Sequence, residues 1–362
     1  MTSPARPHPS HDETEPAAAP VSGVLELEAI ACPLCGAPDA TVLCAEHDLA
    51  LGVPGRFPLA RCERCGLLYQ NPRVRRDQLD RMYPVDYPPH TRDPDRGRVL
   101  RDSSPALRWV LARGLGYTHL DTRDVDRGDR LRGHLRRRRI LKTFPPWVGG
   151  GRLLDVGCAT GRFLQQMAAV GWRVSGVELD PEAAAKARTV TPDVVTGDPA
   201  EVTLPPASFD LITAFHVVEH LPDPGGAVRN MLAWLAPGGL MVIEVPNVGG
   251  WGGVLFGRHW SGLDFPRHLT HFTPVTMRAL VERCGGRVVD EWHWSKPRWI
   301  IRSARFALAA RATAPARLAL SALDSRLGGG LVKLVLEVAL AAAGPARRGE
   351  VVRYFVRHAG RV

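Results

Sequence analysis

Long apolar runs are absent from this sequence. No stretch reaches the ~20 consecutive apolar residues that a membrane-spanning helix requires, and the first residues lack the charged, apolar and small-residue order of a signal peptide. We therefore expect a cytoplasmic protein. A disulfide framework is not indicated either, because four of the seven cysteines fall in two C-x-x-C pairs, which is typical of metal binding in a reducing compartment.

Aromatic residues are scarce as well, at 7% of the chain, whereas positive charge is abundant. The net charge is +10, and arginines crowd residues 73–139, ending in four consecutive arginines at 136–139. Such a run can attract nucleic acid, anionic lipid or acidic substrates. Because the stacking aromatics that single-strand binders use are sparse there, we favour a solvated helix face.

The stretch 153–164 predicts a buried parallel strand, a glycine turn and the start of a helix. Gly157 and Gly161 allow the backbone conformations and the close ligand approach that a Cβ would block. The second and third glycines of the dinucleotide fingerprint G-x-G-x-x-G are missing, and Asp155 would put a carboxylate close to the phosphates of such a ligand. A cationic ligand therefore suits this turn better.

Further strands follow in a regular order. Glu178 ends a second apolar strand, 23 residues after Asp155, where an α/β nucleotide fold places the acid that binds ribose hydroxyls. Gly197-Asp198 follows a third strand, although this dipeptide is also an ordinary turn. Residues 209–224 and 235–247 contain a fourth strand continuing into E-H-L-x-D-P, and a P-G-G turn into a fifth strand.

The form D-x-G-x-x-x-G, here Asp155, Gly157 and Gly161, resembles motif I of the class I S-adenosylmethionine (SAM)-dependent methyltransferases, and the resemblance covers 151–291. It implies an α/β, Rossmann-like, seven-stranded methyltransferase sheet with SAM as the cofactor. In this family the acid at the second strand end binds the ribose, and the acid after the third strand contacts the adenine. The residues that we predict to bind the cofactor are Asp155, Gly157, Cys158, Gly161, Glu178, Leu179, Asp198 and Phe215.

Two C-x-x-C knuckles, separated by 26 residues, predict a metal site near the start of the chain. Paired knuckles turn their thiolates onto one ion and complete a closed, tetrahedral site, as in structural zinc centres. The predicted zinc ligands are Cys32, Cys35, Cys62 and Cys65. We interpret Cys44 and His47 as bystanders because one zinc ion needs only four ligands. The following segment, 67–73, resembles the C-G-L-x-[YF]-x-x-P segment that follows zinc knuckles in bacterial methyltransferases of this type.

Hydrophobic residues make up 45% of the 362 residues, enough for one full α/β domain with smaller modules. We predict a small zinc ribbon-like module before the core and a helical insertion before the last strand. The boundaries are 1–24 for a disordered tail, 25–72 for the zinc-binding module, 73–145 for an Arg-rich helical connector or cap, 146–296 for the SAM-binding core, 297–349 for the helical insertion, and 350–362 for the last core strand and the C-terminus.

The predicted catalytic residues are polar side chains after the fourth strand and in a later H-L-T-H segment: His216, Glu219, His220, His268 and His271. Residues 216 and 220 would share one face of a helical turn, and one imidazole could be the general base for an oxygen or carbon acid. The E-H pair also resembles methyltransferases in which Glu and His bind a divalent ion. Those relatives carry a Glu where this chain has His216, so a second metal stays open, as does a purely structural role.

The acceptor is predicted less sharply than the cofactor. The chain lacks an N-P-P-Y-type motif after the fourth strand, which argues against the amino-methylating nucleic-acid enzymes that share it. We expect methyl transfer to an oxygen or carbon of a small-molecule, sugar or lipid-linked acceptor. Two alternatives remain open: a ribosomal-RNA methyltransferase that uses the Arg-rich segment on phosphates, and a non-catalytic SAM-binding interaction protein.

Two late segments could border the acceptor. The glycine-rich stretch 247–262 is predicted to be too irregular for a helix, and to be either a lid with aromatic walls or a packed loop. The insertion 299–343 alternates apolar residues with arginines. For the insertion we favour a docking face or dimer interface over contact with a membrane surface.

Overall fold

The computed structural model describes residues 24–84, 87, 104–311, 313–324 and 347–360, with isolated positions at 330, 332 and 336. The tail predicted over 1–24 lies outside the described residues except for its last residue. Much of the insertion after 324 lies outside them too. Within the described part of the chain, no helix has the length and apolar character needed to cross a membrane.

The N-terminal part of the chain forms short antiparallel strands: β1 (Leu27–Glu28), β2 (Ala40–Glu46), β3 (Phe57–Cys62), β4 (Leu68–Gln70) and β5 (Arg73–Val74). β1 pairs with β5, and β2, β3 and β4 form a small sheet. The knuckles interrupt the strands because Gly36 and Gly66 adopt left-handed backbone angles, with φ of +72° and +73°. Each knuckle therefore reverses the chain in the same way.

The central sheet has seven strands, six of which are β6 (Arg152–Val156), β7 (Arg173–Glu178), β8 (Val194–Thr196), β9 (Phe209–Phe215), β10 (Leu235–Pro246) and β12 (Gly286–Trp294). The seventh is β13 (Val351–His358), and the order is β12-β13-β10-β9-β6-β7-β8. β6 to β10 pair in parallel, whereas β13 runs antiparallel to both of its neighbours. The predicted seven-stranded, Rossmann-like sheet is thus confirmed.

Helices cover both faces of this sheet. In chain order they are α1 (Pro105–Gly114), α2 (Arg127–Thr143), α3 (Arg162–Ala168), α4 (Pro181–Ala187), α5 (Pro224–Trp234), α6 (Trp251–Phe256), α7 (Pro274–Arg283), α8 (Pro297–Ala309) and α9 (Ala314–Asp324). Side chains of α1 to α4 pack on one face, and those of α5 and α7 pack on the other. Successive side chains of β6 point to opposite faces, so Leu153 joins the first core and Leu154 the second.

The structure contradicts one expectation from the sequence and agrees with another. The stretch 247–262 was predicted to be too irregular for a helix, and this is wrong: Trp251–Phe256 is helical, because its glycines lie where the turn packs closely on Glu350 and Val248. The four arginines at 136–139 lie on α2 and are all exposed, which is the arrangement of a solvated face.

The N-terminal sheet takes its fourth strand from the second half of the chain. β11 (Thr270–His271) pairs antiparallel with β4, which completes a sheet of order β11-β4-β3-β2. The Gln70 side chain also donates to the carbonyls of Pro266 (2.8 Å) and His268 (2.7 Å). The apolar residues beside the knuckles belong to the same buried core as β9 and β10. The module predicted over 25–72 is therefore packed continuously with the central sheet.

Candidate active site

The glycine turn after β6 forms a shallow cradle at the carboxyl end of the sheet. Gly157 has a φ of +72°, and a Cβ placed there would come within 2.4 Å of Val217 Cγ2. The Gly157 amide donates to the Val177 carbonyl at 2.7 Å, which ties the turn to β7. Gly161, with a φ of +83°, precedes the first residue of α3. Only glycine at position 157 therefore allows the turn to pack this closely against Val217.

Asp155 lies under the turn and is 4% exposed. Its carboxylate accepts a 2.7 Å hydrogen bond from the Thr213 hydroxyl on β9. Burial raises the pKa of Asp155 to about 7, and the nearby charge of Glu178 acts in the same direction. No positively charged side chain of the described residues forms an ion pair with it. The site therefore holds a carboxylate whose ionised form a cationic ligand would stabilise.

Glu178 ends β7 beside the same turn. Its two carboxylate oxygens accept backbone N–H groups of Ala159 (2.7 Å) and Asp180 (3.0 Å), and each oxygen retains a lone pair for a ligand hydroxyl. The next side chain, Leu179, is 58% exposed, as a residue that borders a flat ligand would be. Glu178 and Leu179 thus lie side by side at the end of β7, next to the turn of Gly157, and their contacts with the cofactor remain predictions.

The remaining predicted cofactor residues lie around this cradle. Asp198 accepts from the Ala200 amide (2.9 Å) and from the Arg76 guanidinium (3.0 Å). Phe215, at the end of β9, packs against Phe163 with ring centroids 5.2 Å apart. Cys158 is buried, and burial raises the pKa of its thiol, so it packs as a neutral group. The roles of these residues in binding SAM remain predictions.

Beyond the cradle, His216 lies at the centre of a charged network. Its Nδ1 lies 3.3 Å from Glu219 Oε1, and its Nε2 lies 3.1 Å from Glu244 Oε1. The Lys296 Nζ is 2.7 Å from the same Nε2. Arg353 completes the network with a 2.7 Å contact to the second oxygen of Glu244. These groups can hold or move a proton at the His216 ring.

Charge and burial compete within this network. Burial and Lys296 act to lower the pKa of His216, but its hydrogen bonds to Glu219 and Glu244 leave it above the ordinary value. Burial acts to raise the pKa of Glu244, but His216 and Arg353 lower it to about 2. Burial lowers the pKa of Lys296. Between His216 and Glu244, the proton therefore resides on the His216 ring.

His220 and His268 form a second polar cluster against the N-terminal module. Their rings lie edge to face with centroids 4.6 Å apart. The His220 Nδ1 lies 3.1 Å from the Arg267 carbonyl and 3.0 Å from the Tyr83 hydroxyl. Burial lowers the pKa of His220 to about 4 and that of His271 to about 3. Both rings are therefore neutral at neutral pH.

The predicted common face of residues 216 and 220 is not formed, and that expectation is wrong. His216 has a φ of +57°, and the helical turn that follows is a 3₁₀ turn over Val218–His220. This left-handed residue directs the two imidazoles into separate clusters. Glu219 contacts His216 through one carboxylate oxygen and also lies close to His220 and His268.

A buried ion pair supports the second cluster. Arg267 is fully buried and contacts the Asp48 carboxylate through both terminal nitrogens, at 2.7 and 2.8 Å. The same guanidinium contacts Asp264 at 2.9 Å. Asp48 belongs to the loop after β2, so this ion pair joins the N-terminal module to the loop that carries His268.

The four cysteines of the knuckles form a compact tetrad. Their Sγ atoms all lie within 4.8 Å of one another, and the Cys32–Cys65 and Cys35–Cys62 pairs are 3.5 Å apart. A tetrahedral zinc site with bonds of about 2.3 Å has sulfur separations near 3.8 Å. The size and donor set of the tetrad fit one such ion. Cys44 and His47 are not part of it.

Several functional candidates were missed from the sequence. Thr213, Tyr83 and Lys296 carry no motif. Glu244 and Arg353 did carry a signal, because each is a charged residue inside an otherwise apolar strand, and the two face each other in the β10–β13 register. A buried charge of this kind requires a partner.

A comparison with known protein families can now be set beside the glycine turn and the sheet order. Residues 129–291 match the family model of a methyltransferase domain. This match covers less than half of the chain. The cysteine tetrad precedes this methyltransferase domain, whereas Lys296 and Arg353 follow it.

Relatives of the methyltransferase domain are similar in part of their length. A protein of Mycolicibacterium smegmatis, named a probable S-adenosylmethionine-dependent methyltransferase, is 31% identical over 143 residues, which cover 39% of this chain and 54% of that protein. A ubiquinone biosynthesis O-methyltransferase of Xanthomonas euvesicatoria is 33% identical over 107 residues, which cover 28% and 45%. The chain thus spans about half the length of the curated relatives it matches.

A solved structure of a SAM-dependent methyltransferase from Mesorhizobium loti is also similar. It is 19% identical with a TM-score of 0.40, and the match covers 63% of this chain and 100% of that one.

Proposed function

We propose that this protein is a SAM-dependent methyltransferase that transfers the methyl group to an oxygen or carbon of a small-molecule acceptor. The observation that carries the proposal is the cradle of Gly157 flanked by Asp155 and Glu178, on adjacent strands of a methyltransferase domain. SAM carries a positive charge and a ribose. Such a ligand would contact two carboxylates. Asp155 is buried and has no ion-pair partner among the described residues, and Glu178 lies at the end of the next strand.

Methyl transfer from a sulfonium is an in-line displacement, so the protein must align the acceptor and, for a hydroxyl or carbon acid, remove a proton. The groups available for the proton are the imidazoles of His216, His220 and His268. Because a carbonyl oxygen can only accept, the contact of His220 Nδ1 with the Arg267 carbonyl places the ring hydrogen on Nδ1. The His220 Nε2 is then unprotonated and can accept a proton.

The name of the Xanthomonas relative supports an oxygen acceptor, since that protein is an O-methyltransferase of ubiquinone biosynthesis. For the present chain we propose the broader class of hydroxylated small molecules, sugars and lipid-linked intermediates. We further propose a cytoplasmic location and a structural zinc ion on Cys32, Cys35, Cys62 and Cys65. The zinc ion would fix the knuckles that hold β3 and β4.

The first test is calorimetric binding of SAM and S-adenosylhomocysteine to the full chain. We expect binding by the wild type and a loss of tens- to hundredfold in affinity for Asp155→Ala, as for the loss of a charged contact of about 2–3 kcal/mol. Glu282→Ala is the matched control, because Glu282 is an exposed acid on α7, away from the turn of Gly157. A folded wild-type protein that binds neither compound would contradict the proposal.

The second test is turnover with hydroxylated acceptors. His220→Ala and His268→Ala should lower kcat by about 10²–10⁴-fold if their rings remove the proton, with SAM affinity unchanged. His47→Ala, an exposed histidine of the N-terminal module, should keep full activity. Full turnover by both cluster variants would show that these imidazoles have no catalytic part.

A further inference from the structure

Helix α6 presents its apolar side chains to the solvent. Trp251, Val254 and Leu255 recur at i, i+3 and i+4, so they share one face of the helix, and they are 41%, 64% and 73% exposed. The opposite side carries glycine: Gly252 is buried, and a Cβ there would overlap the Glu350 carboxylate. A surface helix normally buries its apolar side. The reversed arrangement of α6 groups three large apolar side chains in solvent, which is typical of an interaction site.

Arginines border these apolar side chains. The Arg348 guanidinium carbon lies 5.3 Å from the centre of the Trp251 ring, and the Arg348 carbonyl accepts a hydrogen bond from the Trp251 amide (3.0 Å). Arg258 follows α6 by two residues. The side chains of Arg258 and Arg347 are 62% and 76% exposed, whereas those of their acidic partners are only 19% and 7% exposed. The border of α6 therefore presents positive charge to the solvent.

The neighbouring helix α8 extends this positive charge. It packs against α6, and Arg298, Arg302 and Arg305 recur at i, i+4 and i+7, which places them along one side of α8. The sequence 297–323 contains five arginines and no acid. Together the two helices form a basic surface with an apolar part, which we call the α6–α8 face. Its residues are Trp251, Val254, Leu255, Arg258, Arg298, Arg302, Arg305, Arg347 and Arg348.

The α6–α8 face lies beside the candidate active site. α6 follows the carboxyl end of β10, and α8 follows Lys296, whose Nζ lies 2.7 Å from His216 Nε2. The Trp299 ring on α8 is 5.9 Å from the His216 ring, measured between centroids. One helix thus carries arginines of the face and also borders the polar network around His216.

The chemistry of this face distinguishes among its possible occupants. A second copy of the chain would place arginine against arginine, because an isologous interface uses the same patch on both sides, and like charges in an interface weaken binding. Nucleic acid would pair with the arginines, but its phosphates offer no apolar contact to Val254 and Leu255. An anionic lipid surface matches both parts, with headgroup phosphates for the arginines and an apolar boundary for the other side chains.

We propose that the α6–α8 face docks on an anionic membrane surface. In the docked state Trp251, Val254 and Leu255 enter the boundary between headgroups and acyl chains, and the arginines contact headgroup phosphates. The contact is centred on α6, which lies outside the insertion predicted at 297–349. It goes beyond the proposed function, because binding to vesicles requires neither SAM nor an acceptor and can be measured without them.

The experiment is flotation of the full, zinc-loaded chain with vesicles of phosphatidylglycerol and phosphatidylcholine, and with vesicles of phosphatidylcholine alone. We expect the wild type to float with the anionic vesicles only, and less at high salt, because salt screens the arginines. Val254→Ser/Leu255→Ser should lower partitioning by about tenfold or more. Leu135→Ser/Val275→Ser is the matched control, since it removes the same residue types from sites that are 79% and 71% exposed elsewhere, and it should bind like the wild type.

A second pair of variants tests the charge. Arg258→Gln/Arg348→Gln should weaken partitioning by about tenfold or more, at roughly fivefold for each arginine. Arg137→Gln/Arg138→Gln removes the same charge from the exposed side of α2 and should change partitioning far less. The two double variants have equal net charge, so a difference between them reports where the chain meets the vesicle.

Brominated lipid tests which tryptophan reaches the membrane. Bromine on the acyl chains quenches the fluorescence of tryptophans that enter the boundary. The chain contains nine tryptophans, yet Trp251→Phe should keep vesicle binding and remove most of the quenching. Quenching that is unchanged in Trp251→Phe would show that another surface makes the contact.

A wild-type chain that does not float with anionic vesicles overturns the proposal, as does equal binding by the α6 variants and their controls. Sedimentation of the same samples tests the second copy: a dimer that dissociates in Val254→Ser/Leu255→Ser, without vesicle binding by the wild type, assigns the face to self-association instead. Because the substituted side chains are exposed, melting temperatures should stay near that of the wild type. If a variant unfolds, flotation of the wild type and the quenching difference still decide.

Discussion

The predicted cofactor side and the predicted acceptor side of the candidate site are built in opposite ways. The cofactor side is a single βα turn, in which Asp155, Gly157 and Gly161 follow one another within seven residues. The acceptor side combines side chains from β9, from the loop before β11 and from the N-terminal module. A local motif can be inherited as a unit, whereas a non-local cluster depends on the whole fold. The difference shows why the family is easier to identify than the substrate.

The two sides also differ in how they treat buried charge. Asp155 has no ion-pair partner among the described residues, and burial raises its pKa to about 7. In the acceptor side, Arg267 contacts both Asp48 and Asp264, and its charge helps to hold the pKa of Asp264 below the ordinary range against the effect of burial. Under the proposed function, a cationic ligand would complete the first side, whereas in the second side the protein itself supplies the counter-charge. Three substitutions can break or sharpen this contrast.

The largest effect should come from Cys32→Ser. Because a structural zinc ion supplies folding free energy, of about 10–16 kcal/mol in zinc-finger peptides, loss of one thiolate should release the ion and unfold the N-terminal sheet together with its strand β11. We expect zinc content to fall and thermal unfolding to begin at a much lower temperature. Cys44→Ser is the matched control. Equal zinc content and melting temperature in the two variants would refute the zinc proposal.

Arg267→Met should have the next largest effect. It leaves Asp48 and Asp264 without their counter-charge inside the protein, and breaking a buried pair costs about 3–5 kcal/mol. The control is Arg258→Met, since Arg258 is 62% exposed and lies 3.5 Å from Glu46, and exposed pairs contribute about 0–1 kcal/mol. Denaturant unfolding measures both. A similarly small loss of unfolding free energy in the two variants would mean that the Arg267 guanidinium does not stabilise the contact between the N-terminal module and the core.

A gain in stability, opposite in sign to the two losses above, should come from Asp155→Asn. The folded pKa of about 7 exceeds the unfolded value of about 3.9, so the folded state is favoured at low pH and loses stability as the pH rises from about 4 to 7. The amide removes this loss. Without ligand, the variant should therefore melt above the wild type at pH 8, with the difference shrinking towards pH 4.

Binding should show the reverse of that stability gain. The wild type needs the ionised carboxylate for a cationic ligand, so its SAM affinity should fall as the pH drops below about 7, whereas Asp155→Asn should bind weakly throughout. Calorimetry at pH 6 and pH 8 measures this. A pH-independent affinity in the wild type would indicate that the Asp155 carboxylate does not contact the cation.

Sequence reasoning reached the fold because hydrophobic strands and glycine turns are local signals. β7 ends at Glu178, as its apolar pattern predicts, and the turn at Gly157 follows from one residue type. The joint between Asp48 and Arg267 could not be predicted, since it spans 219 positions. The separation of His216 from His220 depends on one left-handed backbone angle, which the E-H-L pattern does not encode. Lys296 follows β12 and contacts His216 across 80 positions, a pairing that no local pattern encodes.

The N-terminal sheet takes one strand, β11, from the second half of the chain, and this has a consequence for protein synthesis. β4 emerges from the ribosome early, but its partner β11 follows roughly 200 residues later, which takes about 10–40 s at ordinary elongation rates. During that interval the nascent chain carries both cysteine knuckles beside a strand edge that is open to other chains. Early metal uptake by the knuckles would hold this unfinished sheet in shape until translation delivers its last strand.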